Sequence, residues 1–176
     1  MIKKISSLLL IFVLLVAFVT GCESKEKEET EKSSKVEKVE DLSNKKGTLH
    51  CVRNATVEGG SGKFNYYVDY NGDVITYIDS EDSVTIEDEA KRKEYEDSFR
   101  TLDSYYTGID YYYAKVIVEG NTVTHRVKID YEKVDVSKLI ALEGEEDNIY
   151  ENNIPKLNKY LELGKKVGVT CSESTL

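Results

Sequence analysis

The chain has 176 residues, 24 of them basic and 33 acidic, for a formal charge of −9. Such a surplus of carboxylates repels phosphate backbones, so nucleic-acid binding is not expected. The two basic residues nearest the N-terminus lie in a segment expected to be removed; without them 22 basic side chains face 33 acidic ones, a balance of about −11 that also disfavours charge-driven binding to an anionic bilayer.

The N-terminus has three parts. Lys3 and Lys4 supply positive charge, and an unbroken apolar run, Leu8 to Val19, follows. About a dozen apolar residues suit a secretory signal and fall short of the roughly 20 that span a bilayer. The tetrad Val19-Thr20-Gly21-Cys22 closes the run. It resembles a bacterial lipobox, in which an aliphatic residue and two small ones precede an obligatory cysteine. The resemblance implies cleavage before Cys22 and attachment of diacylglycerol to its sulfur, with palmitate-type chains. Only a thiolate is nucleophilic enough to form that thioether. Residues 1–21 are therefore read as a lipoprotein signal peptide, and the lipid bilayer as a partner through the acyl anchor. Each buried CH₂ stabilises the anchor by about 0.8 kcal/mol. The expected location is the outer, extracytoplasmic face of the membrane of a Gram-positive bacterium.

Residues 22–46 form a charged tether. From Glu23 to Lys46, eight acidic and seven basic residues nearly cancel, and Val36, Val39 and Leu42 are its only apolar side chains. Such a segment cannot bury enough apolar surface to offset the entropy of ordering. Three apolar positions are also too few for a coiled-coil seam.

Residues 47–172 read as one α+β domain, followed by a short tail, 173–176. Thr48 to Thr56 reads as an opening strand. In KFNYYVDYNGDVITYID, Asn71-Gly72 predicts a two-residue type I′ turn. That turn would set Val68 opposite Ile75 and Tyr66 opposite Tyr77, with Phe64, Tyr66, Val68, Ile75 and Tyr77 on one face. Thr85 and Asp88 have capping-box spacing, and Tyr95, Phe99, Leu102 and Tyr106 form one helical stripe, with Gly108 as the stop. A second hairpin, YYYAKVIVEGNTVTHRVKIDY, turns at Gly120-Asn121 and pairs Val118 with Val123 and Val116 with His125. Its inner face is apolar and its outer face mostly charged. A short helix is expected at Ser137 to Leu142, and a last one from Pro155 to near Gly168 with Leu157, Leu161 and Val167 inside. The expected fold is a mainly antiparallel sheet of about five strands built from two hairpins, with one long helix on one face and a C-terminal helix.

Three cysteines are present. With Cys22 assigned to the lipid, Cys51 and Cys171 remain as an even pair in an extracytoplasmic protein, and a disulfide between them is expected. Zinc would need about four ligands. Those two cysteines with His50 and His125 match on paper, but His50 and Cys51 are neighbours on a strand and face opposite ways.

The segment KIDYEKVDVSKLIALEG, Lys128 to Gly144, carries Asp130-Tyr131, Lys133, Asp135, Lys138 and Leu139. It resembles the YehR-like family of uncharacterised bacterial lipoproteins. The lipobox, the order of elements and the terminal cysteines resemble its Gram-positive members. The resemblance implies an α+β lipoprotein domain and no known activity, so it carries over no catalytic residue, and no cofactor is expected.

Tyrosines crowd around Gly108, at 105, 106, 111, 112 and 113. Either alternate tyrosines fill the core and the others cover the sheet, or Tyr67, Tyr111 and Tyr113 form an aromatic binding surface for sugars or a partner protein. The acidic clusters Asp79 to Asp82 and Glu143 to Asp147 lack EF-hand spacing and read as solvated loops rather than calcium sites. His125 falls on the apolar side of its strand. No nucleophile-elbow, zincin, P-loop or dinucleotide motif is found in the sequence. The functional expectation is a non-enzymatic binding or accessory domain of the cell envelope, its partner an envelope protein or a wall polymer. Two alternatives stand beside it: a small-molecule receptor feeding a transporter, and a cell-wall hydrolase.

Overall fold

The structure is a computed structural model and describes residues 45–144 and 148–174. The expected signal peptide, Cys22 and the expected tether up to residue 44 lie outside the described residues, as do residues 145–147 of the second acidic cluster and residues 175–176 of the expected tail. No helix among the described residues is long and apolar enough to cross a membrane.

The fold is α+β with an antiparallel sheet. In chain order the elements are β1 (Lys46–Val57), β2 (Gly60–Asn71), β3 (Val74–Ile86), α1 (Glu89–Tyr105), β4 (Tyr112–Glu119), β5 (Thr122–Asp130), α2 (Val136–Glu143), β6 (Tyr150–Glu151), β7 (Ile154–Pro155), α3 (Leu157–Lys166) and β8 (Thr170–Glu173). Six strands form the main sheet in the order β4-β5-β3-β2-β1-β8, and β6 and β7 form a small ribbon. The expected five strands become six because β8 adds to β1, with Leu49 opposite Glu173 and Cys51 opposite Cys171. The opening strand is longer than expected and is itself half of a hairpin, so β1, β2 and β3 make a meander rather than a strand and a hairpin.

The second hairpin has the expected register, with Val118 opposite Val123 and Val116 opposite His125. The first does not. Asn71 pairs with Val74, so the loop is Gly72-Asp73, and of the two only Gly72 has positive φ, at 60°. Asn71 stays extended, and the residue without a Cβ takes the left-handed position. Further along, Tyr70 faces Ile75 but Asp69 faces Tyr77. Thr76 is the extra residue of a β-bulge, which reverses the alternation beyond it. Tyr77 therefore lies on the outer face, and Ile78 takes the inner position with Val84 and Ile86.

The inner face carries the core. Phe64, Val68, Ile75, Val84, Ile86 and Val123 are all but inaccessible, and the helices cover them. Helix α1 lays Phe99 and Leu102 on the sheet, and Tyr106 follows them into the core. Its start corrects the capping-box expectation. Asp88 is itself the N-cap, accepting from the Lys91 N–H at 2.9 Å, while Thr85 belongs to β3. Helix α2 spans slightly more than expected and buries Leu139. Helix α3 starts two residues later than expected, because Pro155 is used in β7 and pairs with Tyr150. Its buried side is Leu157, Tyr160 and Gly164, with Leu161 and Val167 only half-buried. Its first turn is capped across the fold: the Asp73 carboxylate accepts from the Asn158 N–H at 2.8 Å.

Candidate functional site

Strand alternation sends every second side chain to the outer face, and the register then lines them up in rows. One row runs Tyr113, Lys128, Asp79, Tyr67, His50, one residue from each of β4, β5, β3, β2 and β1. Tyr113 is 61 % exposed and Tyr67 44 %. Three strand spacings separate their backbones, about 14 Å. The Tyr67 ring stacks on His50 with centroids 4.6 Å apart. Between the two tyrosines, Asp79 receives Arg126 through Nε at 3.1 Å and Nη2 at 2.9 Å, and Lys128 at 2.9 Å. Partial burial pushes the Asp79 carboxyl up, but the bonds from Arg126 and Lys128 outweigh it and hold its pKa below the ordinary carboxylate value.

Tyr111 stands at the rim of this face rather than in the row. It sits just before β4 at φ 65°, an uncommon conformation for an aromatic residue. Its carbonyl accepts from the Asp130 N–H at 3.1 Å, and the Lys133 ammonium lies 5.6 Å from its ring centroid. Tyr67 and Tyr113 thus share one surface, with Tyr111 at its corner. The other crowded tyrosines divide: Tyr106 and Tyr112 stack at 4.5 Å beneath the sheet, and Tyr105 is exposed on α1. Beside the row, an open hollow of about 530 Å³ is lined by Thr48, Asp69, Thr76, Tyr77, Asp130 and Glu132.

The next outer row holds Lys115, Arg126, Glu81 and Asn65, and Lys63 lies in the one beyond. These rows carry Lys63, Lys115, Arg126 and Lys128 with Asp79 and Glu81, and the row on the other side adds Asp69 and Asp130.

The first acidic cluster is not a solvated loop, and Glu143, at the start of the second, is buried. Asp79 to Asp82 lies inside β3, where alternation sends Asp79 and Glu81 out and Ser80 and Asp82 in. Asp82 is 1 % exposed. Burial raises its pKa to about 6, against the lowering effect of the Tyr66 hydroxyl, which donates to it at 2.6 Å, and of His125. His125, in register with Asp82, is fully buried, meets Asp103 Oδ1 through Nε2 at 2.6 Å and stacks on Phe99. Glu143, at 2 % exposure, lies four residues beyond Leu139 on the buried stripe of α2. Its pKa is raised to about 7 by burial, partly offset by hydroxyls of Tyr150 and Tyr106. These groups have acid–base character, and Asp82, His125 and Glu143 are all buried. The inward parity of Asp82 with Val84 and Ile86, and the i+4 spacing of Glu143 from Leu139, were the signals available in the sequence.

The Cys51 and Cys171 sulfurs are bonded at 2.06 Å across β1 and β8. His50 lies on the outer face and His125 on the inner one, so the four residues considered for zinc do not converge. Among the described residues, no three His, Cys, Asp or Glu side chains group as a metal site.

No protein-family model matches the sequence, and no curated protein matches it. Two solved structures match the chain. The NMR structure of the E. coli YehR protein is 18% identical over 76% of this chain and 95% of that one, with a TM-score of 0.52. An NMR structure of a protein from Streptococcus pneumoniae TIGR4 is 14% identical over 88% and 100% of the two chains, with a TM-score of 0.45. The first likeness shows a YehR-like fold.

Proposed function

We propose that this chain is a lipid-anchored binding domain of the cell envelope, an accessory protein rather than an enzyme. In this reading Cys22 carries the diacylglycerol, the residues between it and the start of β1 at Lys46 form the tether, and the domain faces outward from the membrane. The disulfide suits an oxidising extracytoplasmic setting. The observation that carries the binding role is the outer row of the sheet, with Tyr113 and Tyr67 exposed on either side of Lys128 and Asp79, and Arg126 in the adjoining row. Flat aromatic rings take sugar faces, and clustered cations take anionic substituents. The class that fits is an anionic glycopolymer of the wall, laid across the strands with Tyr111 at its margin. A small-molecule receptor would need a pocket between α1 and the sheet, and that space is filled by Phe99, Leu102, Tyr106 and Tyr112. The acidic groups a hydrolase would need are, in Asp82 and Glu143, buried.

Two experiments test this. Growth with an alkyne-tagged palmitate should label the protein, and Cys22→Ser should abolish both the label and its partition into detergent. Unchanged labelling would remove the anchor. Separately, detergent-solubilised full-length protein should be retained on wall sacculi that keep their anionic polymers. Tyr67→Ser with Tyr113→Ser should lower that retention about tenfold, while Tyr105→Ser leaves it unchanged. Equal retention of all three would dismiss the outer row as the binding surface.

A further inference from the structure

Strand β4 ends the sheet, pairing with β5 alone. The Asp130 N–H donates to the Tyr111 carbonyl in the β4–β5 register, and Glu119 faces Thr122 across the two-residue turn. Antiparallel pairs alternate, so odd-numbered residues of β4 bond to β5 and even-numbered ones turn their N–H and C=O groups outward. Ala114, Val116 and Val118 thus offer an unused ladder. Val118 is 42 % exposed, and a hollow of about 600 Å³ opens beside it, shared with Ala90, Lys93 and Glu96 of α1. Lys115 and Glu119, on the outer side of the same strand, have no ion-pair partner among the described residues. Lys115 even lies opposite a second cation, Arg126.

These features fit one register. Two copies of β4 laid antiparallel about a two-fold axis at Ile117 put Ile117 against Ile117 and Lys115 against Glu119 twice. They also put Val116 against Val118 twice on the inner side. The outward ladder falls at Val116 and Val118, as bonded pairs require. Ile117 and Lys115–Glu119 become non-bonded pairs, where side chains approach more closely. A shift of two residues in total would set Lys115 against Ile117; a shift of four would set Lys115 against Lys115. Charge and apolar matching therefore select the first arrangement. We propose that this chain forms a two-fold homodimer by pairing of β4 with β4 in that register. Two-fold pairing closes on itself, whereas β4 on the opposite edge strand, β8, would propagate. The dimer joins two outer faces into one continuous sheet surface. This pairing stands independently of what that surface binds.

The test uses the full-length protein in membranes. With Ile117→Cys, mild oxidant should give a disulfide-linked dimer on a non-reducing gel. Wild type should give none, and Thr124→Cys, one strand further in, should also give none. Adding Lys115→Glu should cut the crosslinked yield about tenfold, since two attractions become two repulsions. Adding Glu119→Lys to that variant should restore it. Lys115 and Glu119 are exposed, so an unchanged melting temperature will certify the fold of each variant. A monomer with Ile117→Cys, equal crosslinking through Thr124→Cys, or a charge reversal without effect or without rescue would each overturn the proposal.

Discussion

Glu143 and Asp82 are carboxyls whose neutral form is favoured by burial. Each has a folded pKa above its unfolded one, near 7 for Glu143 and near 6 for Asp82. The folded state therefore binds more protons than the unfolded chain between about pH 4 and pH 7, and stability falls as pH rises through that window. Below it both states are protonated and the penalty vanishes; above it the penalty is complete. Glu143→Gln removes one ionisation and should raise stability at pH 8 by on the order of 1–3 kcal/mol, with no gain at pH 4. Thermal melts of both proteins across pH 4 to 8 check this, and parallel curves would refute it. Neither burial was read from the sequence, because runs of acids look solvated when strand parity is ignored. His125 was placed correctly on its apolar face, but Asp103, 22 residues away, could not be assigned as its partner without knowing how α1 crosses β5.

Elements were legible where local chemistry decided them. The hairpin of β4 and β5 was read in full, because alternation is strict and Gly120 marks the turn. The hairpin of β2 and β3 was not, because a bulge at Thr76 leaves no sequence mark. The Tyr131 N–H donates to the Thr76 carbonyl at 2.9 Å, a bond from distant chain that gives the extra residue a role. The same hairpin's loop also starts α3. Lys156, the residue at its N-cap, gives no side-chain bond, and Asp73 supplies the missing acceptor from 85 residues away. Asp73→Ala should cost about 1 kcal/mol, as the loss of a cap does. Chemical denaturation checks the value, and hydrogen exchange should rise first at Asn158. A variant as stable as wild type would show that solvent caps the helix equally well.

At the scale of the molecule, the antiparallel α+β class followed from the order of hairpins and helices, whereas the strand order did not. Strand β8 was missed because four residues, Thr170 to Glu173, carry too little pattern to announce a strand. The outer tyrosine row was half legible: exposure of Tyr67 and Tyr113 follows from parity, but their common row depends on the β3–β5 pairing, which joins strands 36 or more residues apart. The disulfide closes 120 residues. On the chain-entropy account its loss through paired Cys51→Ser and Cys171→Ser should cost up to about 4–5 kcal/mol, read as a fall in denaturation midpoint. No change on reduction would assign the stability to packing alone.

That bond has a mechanical consequence. Any pull on the chain ahead of Lys46 enters the sheet through the first residues of β1 and would peel them away from β2 and β8 one rung at a time. Peeling reaches Cys51 and stops at a covalent link, so the load passes on to the C-terminal strand and the helix before it. The domain is riveted at the place where traction would arrive.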